Sequence, residues 1–186
     1  MRFLFSLFFV IIASAATAAP IKYDVNKDTS DVGFIYTFGG KDIKGAFNDF
    51  DIDVAIDFKS LKNSTVSVSL KTQTASGGFI FGTQAMRSKK ILSAKAFPEI
   101  TFLSKSVTGR GDTAQILGDI TVRGITKPLT LTAQLFRPKG SDINERDNLI
   151  MKITGTLDRF DFGANGYAKE VAPDLKINIE AFIKKQ

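Results

Sequence analysis

The sequence predicts an all-β protein, an antiparallel barrel of about eight strands with one short helix. Apolar and polar residues alternate with a period of two through most of the chain after residue 20. Turn-forming sequences such as "FGGKD", "TGRGD" and "RPKGSD" separate the alternating runs, and one segment lacks the alternation. Strands with a single apolar face must hide that face, and a closed barrel does so while removing the sheet edges. A two-sheet sandwich is the alternative.

Residues 1–18 have the pattern of a secretory signal peptide. Arg2 supplies a positive charge, residues 3–12 are apolar, and "ASAATAA" supplies the small residues of a cleavage site. The apolar run is shorter than the about 20 residues that a membrane-spanning anchor needs. We therefore expect cleavage after Ala18, localisation in the periplasm, and one mature domain over residues 19–186.

Each alternating run predicts one strand. "VGFIYTF" places Val32, Phe34, Tyr36 and Phe38 on one face, and "LKINIEAFI" repeats the pattern near the end of the chain. The predicted strands cover residues 21–25, 32–38, 51–58, 66–71, 98–107, 112–122, 128–136, 149–158 and 175–183. Eight strands in a closed barrel leave an interior that side chains just fill, or that holds one small ligand.

The segment "TQAMRSKKILSAKAFP" does not alternate and contains good helix formers. It predicts a helix over about residues 83–94, with Thr83 as the N-cap and Pro98 beyond its end.

Alternation alone does not say which face points inward, and an outer-membrane barrel would turn its apolar face to lipid. The chain has no Trp and three Tyr, too few for the aromatic girdles of such a barrel. We therefore expect the apolar faces to point inward.

The composition argues against catalysis and against a metal site. The chain contains no Cys and no His, which removes the usual thiolate nucleophile, general base and transition-metal ligands. Asp51, Asp53 and Asp57 alternate on a polar face without the spacing of a calcium loop. A catalytic Ser–Lys pair remains an alternative, although no spacing in the sequence indicates one. The net charge of +6 comes from scattered lysines rather than from a nucleic-acid-binding patch.

Several segments resemble the YceI-like family. "GDITVRGITKPLTL" is similar to its G-x-L-T-[IV]-R-G-[VI]-T-K-P segment, and "MRSKKILSAKAFPEITF" is similar to its L-R-S…P-x-I-x-F segment. "RFDFG" resembles its R-x-x-F-G segment, and "KYDVNKDTSDVGFIYTFGGKDIKGAF" resembles its opening strands. The resemblance implies a lipocalin-like barrel with an interior tunnel for a long polyisoprenoid lipid or a similar amphiphile. We expect no required cofactor, apart from the bound isoprenoid lipid or quinone itself.

The chain departs from the family pattern around the predicted tunnel entrance. Phe38 stands where the family often has His, and Gly82, Thr83 and Ala85 replace its Arg, Asp and His. Residues 90–93 replace a D-F-F-D-like run. These changes put the family's usual head-group contacts in doubt and predict a drier entrance.

We expect the apolar strand faces and the segment before the helix to line the tunnel, although ordinary core packing is the alternative for each residue. These residues are Phe34, Tyr36, Phe38, Phe47, Ile52, Val54, Ile56, Phe58, Val68, Leu70, Phe79, Phe81, Met86, Phe102, Leu131 and Phe162. Glycines flank Phe79 and Phe81. These two side chains therefore either gate the tunnel or plug it.

Arg87, Arg123 and Arg159 lie in the matching motifs and are the candidates for contact with a ligand head group. Their alternative role is to brace the barrel through carboxylates and turn carbonyls.

The sequence thus predicts a periplasmic, non-enzymatic protein that carries or stores a polyisoprenoid lipid or an isoprenoid quinone. Its expected partners are the amphiphilic ligand and, transiently, a membrane surface, with no nucleic acid. Whether it forms a homodimer stays open. The alternative is an envelope stress or assembly protein that acts through its surface without bound lipid.

Overall fold

The computed structural model describes residues 19–186, so the predicted signal peptide lies outside the described residues. The strands are β1 (Ile21–Val25), β2 (Asp31–Phe38), β3 (Lys41–Phe47), β4 (Phe50–Ile56), β5 (Thr65–Lys71), β6 (Ala75–Ser76), β7 (Glu99–Arg110), β8 (Thr113–Val122), β9 (Ile125–Phe136), β10 (Asn148–Asp158) and β11 (Val171–Lys185). The α-helix α1 spans Ile80–Arg87, and short 3-10 turns span Leu61–Asn63, Thr72–Thr74 and Arg159–Phe162.

The strands form one antiparallel sheet that closes into an eight-stranded barrel through the pairing of β1 with β11. Eleven strands make an eight-stranded barrel because three positions in the barrel are each filled by two consecutive strands. β1 and β2 fill the position next to β11, β3 and β4 fill the following position, and β5 and β6 fill the third. The all-β barrel predicted from the alternation is confirmed, and the sandwich alternative is wrong.

The barrel has two distinct ends. The helix end carries the β2–β3 turn, α1, the β8–β9 turn and the loop at residues 159–170. The opposite end carries the loop at residues 137–147. There the Tyr23 hydroxyl donates to the Arg146 carbonyl over 2.7 Å. The Arg146 guanidinium lies 4.6 Å from the Phe58 ring centroid. Tyr23 is 2% exposed, so these groups cover the opposite end.

Tight turns at the helix end explain two sequence motifs. Val122 pairs with Ile125, and the two residues between them, Arg123 and Gly124, have φ values of 53° and 74°. Positive φ at both central positions is the geometry whose twist suits a two-residue hairpin. The "RG" of the "TVRGIT" motif therefore forms this turn.

The predicted helix is displaced in the structure. It begins at Ile80 and ends at Arg87, so the prediction of residues 83–94 with a Thr83 cap is wrong. The Thr83 hydroxyl instead accepts a hydrogen bond from the Gly77 amide over 2.9 Å. The helix stops because Ser88 is extended, and its hydroxyl donates to the Ala85 carbonyl over 2.6 Å. Hydrogen-bonded turns follow up to residue 97.

No helix among residues 19–186 has both the length and the apolar character to cross a bilayer.

Candidate functional site

A cavity of about 700 Å³ lies inside the barrel and reaches the helix end. Its walls come from β2, β3, β5 and β7–β11, with α1 and the loop after it at the mouth. Val, Leu, Ile and Phe side chains dominate the lining, because the inward face of each strand is the apolar face. The volume lies within the range of small-molecule binding sites.

Aromatic rings form one wall of the cavity. The Phe34 ring centroid lies 5.6 Å from that of Phe47 and 6.1 Å from that of Tyr36. The Tyr36 hydroxyl donates to the Gly77 carbonyl over 2.8 Å. Burial raises the pKa of Tyr36, so this phenol stays neutral near physiological pH. The wall is therefore apolar, and its polar atom, the Tyr36 hydroxyl oxygen, already takes part in a hydrogen bond within the protein.

Phe38, Phe79 and Phe81 surround the mouth. The ring centroids of Phe38 and Phe79 lie 6.0 Å apart, and Phe81 is 76% exposed. A Cβ on Gly77 would lie 2.5 Å from the carbonyl carbon of Gly82, so these two glycines let the chain fold tightly on itself here. Whether this entrance is drier than that of other family members stays a prediction. Whether the phenylalanines gate or plug the cavity stays a prediction.

Arg159 is a buried brace at the mouth. It is 4% exposed and donates four hydrogen bonds to backbone carbonyls. Nε donates to Ala172 over 3.0 Å and Nη2 to Val171 over 2.8 Å. Nη1 donates to Gly166 over 2.8 Å and also to Ala164. Burial lowers the pKa of Arg159, but a guanidinium keeps its proton in proteins.

The other two predicted head-group arginines also bind backbone carbonyls. The Arg87 Nε donates to Ala75 over 2.9 Å, joining the helix to β6. The Arg123 Nη1 donates to Lys89 over 3.0 Å and to Ile91 over 2.5 Å. Arg159 is the one of the three that lines the cavity. The bracing alternative therefore describes their observed contacts.

Most of the residues predicted to line the tunnel do line the cavity. These are Phe34, Tyr36, Phe38, Phe47, Val68, Leu70, Phe79, Phe81, Met86, Phe102, Leu131 and Phe162. Their contact with a ligand stays a prediction.

Four residues that were predicted to line the tunnel do not line the cavity, which corrects that part of the prediction. They are Ile52, Val54 and Ile56 of β4, and Phe58 after it. β4 pairs with β1 near the opposite end of the barrel. There Val54 and Ile56 belong to the packed core, and Ile52 and Phe58 lie against it. Ile52 pairs with Val68 and Val54 pairs with Val66, and both partners line the cavity, so the edge of the cavity runs between β4 and β5.

The sequence reasoning also missed much of the lining on β8–β11. These residues are Ile116, Ile120, Val122, Leu129, Ile153, Leu157, Val171, Leu175, Ile177 and Ile179. The same period-two alternation marks them, and it would have found them if every strand had been treated alike.

The aspartates of the polar face have local partners. Asp51 accepts from Lys27 over 2.6 Å, and Asp53 accepts from Ser67 over 3.3 Å. Asp57 accepts from the Asn63 amide over 2.8 Å. None of these three aspartates lines the cavity.

Comparisons with known proteins place the chain among similar barrels. Residues 23–182 match the family model described as the YceI-like domain. A UPF0312 protein of Pseudomonas putida is 34% identical over 184 residues, which cover 95% of this chain and 93% of the relative. Protein YceI of Salmonella arizonae is 35% identical over 123 residues, which cover 66% of this chain and 64% of the relative.

Solved structures share the fold. The crystal structure of Burkholderia cenocepacia BcnA has a TM-score of 0.77 at 17% identity, covering 86% of this chain and 99% of that one. A polyisoprenoid binding domain from Saccharophagus degradans, implicated in plant cell wall breakdown, has a TM-score of 0.65 at 8% identity, covering 89% and 99%.

Proposed function

Because the chain belongs to the YceI-like domain family, we propose that it is a binding protein for a polyisoprenoid lipid or an isoprenoid quinone. The hydrocarbon tail lies in the barrel, and the protein carries or stores the lipid in the periplasm. The observation that carries this proposal is the apolar cavity of about 700 Å³ with its mouth at the helix end. The similar fold of a polyisoprenoid binding domain supports the choice of ligand class.

Burial of the tail supplies the affinity. Transfer of each methylene from water contributes about 0.8 kcal/mol, whereas a neutral hydrogen bond contributes about 0.5–1.5 kcal/mol net. A few isoprene units therefore outweigh any single head-group contact, even after the cost of ordering the chain. The length and shape of the cavity, rather than a polar recognition site, select the ligand.

The polar head lies at the mouth. Arg159 uses most of its donors on backbone carbonyls, whereas Arg87 binds one through Nε and Arg123 binds two through Nη1. The remaining polar lining near the mouth includes Gln84 and Glu170, with Tyr167 beside them. A head group that projects between these residues into water needs no specific ion pair.

The protein binds its ligand without transforming it and needs no cofactor, which is in keeping with a chain that lacks Cys and His. The predicted signal peptide brings it to the periplasm, where it contacts a membrane transiently to exchange lipid. Function through the outer surface alone, with the barrel packed shut, does not fit a cavity of this size.

Organic extraction tests the proposal. The protein is produced in its native host with its own N-terminal segment, purified, extracted with chloroform and methanol, and the extract is analysed by mass spectrometry. Leu131→Trp fills the middle of the cavity, whereas Leu103→Trp makes the same change on the outer wall, where Leu103 is 62% exposed.

We expect an isoprenoid lipid from the wild type and from Leu103→Trp, and a much smaller amount from Leu131→Trp. Circular dichroism confirms that both variants fold. An extract of folded wild-type protein without isoprenoid, or an equal yield from Leu131→Trp, would contradict the proposal.

A further inference from the structure

The start of the helix exposes a large apolar surface at the cavity mouth. Ile80 is 74% exposed and Phe81 is 76% exposed, with Phe79 at 40% and Phe38 at 41% beside them. Adjacent exposed side chains of this size typically mark an interaction site. Phe38, Phe79 and Phe81 also line the cavity, so whatever covers this surface also faces the mouth. We refer to residues 77–97, which contain α1, as the mouth segment.

Positive charge surrounds the same surface. The mouth segment contains four basic residues and no Asp or Glu. The basic residues are Arg87, Lys89, Lys90 and Lys95. A Cβ on Gly78 would lie 2.5 Å from the carbonyl oxygen of Lys44, so the exposed Lys44 of β3 borders the segment. The exposed Lys41 pairs with Phe38, whose ring centroid lies 6.0 Å from that of Phe79. Within residues 19–186, none of these five lysines takes part in a salt bridge.

Acidic groups at the helix end do not cancel this charge. Asp161 is bound to Lys127 over 2.7 Å. Asp42 accepts from the Thr37 hydroxyl over 2.9 Å and is bound to Lys176 over 3.4 Å. Glu170 lines the mouth and forms no salt bridge within residues 19–186, so it offsets one of these positive charges. The border of the apolar surface therefore stays positive.

We infer that the mouth segment docks on an anionic phospholipid bilayer, with Ile80 and Phe81 inserted between the lipids and the lysines at the head groups. An apolar face beside basic residues is the pattern of interfacial membrane binding. A second copy of the chain is a poorer occupant, because two such surfaces face to face would bring like charges together.

Docking in this pose turns the cavity mouth toward the bilayer. A lipid tail then passes between membrane and barrel along the phenylalanines of the mouth, without crossing water. This route rests on the proposed function. The docking itself depends only on the outer surface and holds for a barrel whose cavity is empty.

Vesicle flotation tests the docking. The full chain is mixed with vesicles of phosphatidylcholine containing phosphatidylglycerol, or with vesicles of phosphatidylcholine alone, and the bound fraction is measured on a density gradient. Ile80→Asp removes an inserted side chain that does not line the cavity. Its matched control is Ile143→Asp, because Ile143 is 80% exposed in the loop at the opposite end.

We expect the wild type and Ile143→Asp to bind the anionic vesicles equally, and binding to fall about tenfold or more in Ile80→Asp. The double change Lys89→Gln and Lys90→Gln lowers binding by roughly 25-fold at low salt, because each basic residue near an anionic surface contributes about fivefold. Added salt weakens wild-type binding. Phosphatidylcholine alone binds little protein.

Absence of wild-type flotation, or equal flotation of Ile80→Asp and Ile143→Asp, would overturn the inference. A dimer in sedimentation velocity that Ile80→Asp disrupts, without flotation, would instead assign the surface to a second copy. Leu131→Trp separates the two proposals, since it blocks the cavity and leaves the mouth segment unchanged. Normal flotation of that variant is expected whether or not the wild type yields lipid on extraction.

Discussion

Replacing Arg159 with methionine tests whether this side chain holds the mouth together. The substitution keeps an unbranched side chain about as far as Nε but removes the guanidinium, and with it all four hydrogen bonds to the carbonyls of Ala164, Gly166, Val171 and Ala172. The carbonyls of Ala164 and Gly166 belong to the loop that follows the 3-10 turn at Arg159–Phe162, and those of Val171 and Ala172 lie at the start of β11. Loss of the guanidinium therefore frees the part of the chain that borders the cavity.

The magnitude follows from the contacts. A hydrogen bond to a charged group contributes about 1.5–3 kcal/mol, so the four bonds give an upper sum of about 6–12 kcal/mol. Two effects reduce this sum: the freed carbonyls can rotate toward water, and the variant no longer buries a charge. Because single substitutions rarely cost more than about 5 kcal/mol, we expect a loss of about 3–5 kcal/mol in the free energy of unfolding.

Urea denaturation followed by circular dichroism measures the loss. Arg159→Lys keeps the charge but cannot span all four carbonyls, and is expected to fall between the wild type and Arg159→Met. Arg110→Met, at an exposed position near the opposite end, should change the free energy of unfolding by less than about 0.5 kcal/mol. If Arg159→Met kept wild-type stability and lost ligand, Arg159 would be a head-group contact and the bracing role would be wrong.

Two further predictions concern packing and pH. Gly45→Ala should lower the free energy of unfolding by about 1–3 kcal/mol, because a Cβ there would lie 2.2 Å from the Phe34 ring. Urea denaturation measures the change, and an unchanged midpoint would show that the ring moves away freely. The Asn63 amide and the backbone amides of Lys59 and Ser60 lower the pKa of Asp57 below its ordinary value of 3.8. Asp57 therefore contributes stability above that value, and the contribution is lost as the pH falls through the lowered pKa of the folded state. Asp57→Asn should lower stability at neutral pH and flatten its acid dependence in urea titrations at several pH values, and an unchanged acid dependence would contradict this assignment.

The period-two alternation predicted the barrel and the direction of its faces, because a barrel places alternate residues inside and outside. It did not predict which part of the interior stays open. Val54 and Val66 pair across neighbouring strands and both belong to the packed core, yet only Val66 lines the cavity. This difference depends on how side chains from distant strands fill the interior, which periodicity along one strand does not describe.

The helix was misplaced for a local reason. The gate-or-plug interpretation placed Phe79 and Phe81 before the helix, whereas Phe81 lies in the first turn of α1 and is exposed. Thr83 looked like a cap, but it bonds back to the Gly77 amide. The backbone path through the glycines, which sequence periodicity does not describe, decides both outcomes.

The roles of the arginines also depended on the fold. A conspicuous Arg in a matching motif suits a head group and a set of carbonyls equally well, because its donors serve both. Only the folded loops show that Arg123 reaches Lys89 and Ile91, more than thirty positions away. The position of Phe38 at the mouth also depends on the fold, which brings its ring to within 6.0 Å of that of Phe79.

A crystal structure of the protein loaded with a defined polyisoprenoid quinone tests the central claim most directly. We predict continuous density for the tail inside the barrel, in contact with Phe34, Leu131 and Ile177, and the quinone ring at the mouth beside Phe38 and Phe79. Ligand density confined to the outer surface, or a barrel whose side chains have collapsed into the cavity while the ligand stays in solvent, would contradict the claim that this barrel encloses a hydrocarbon chain.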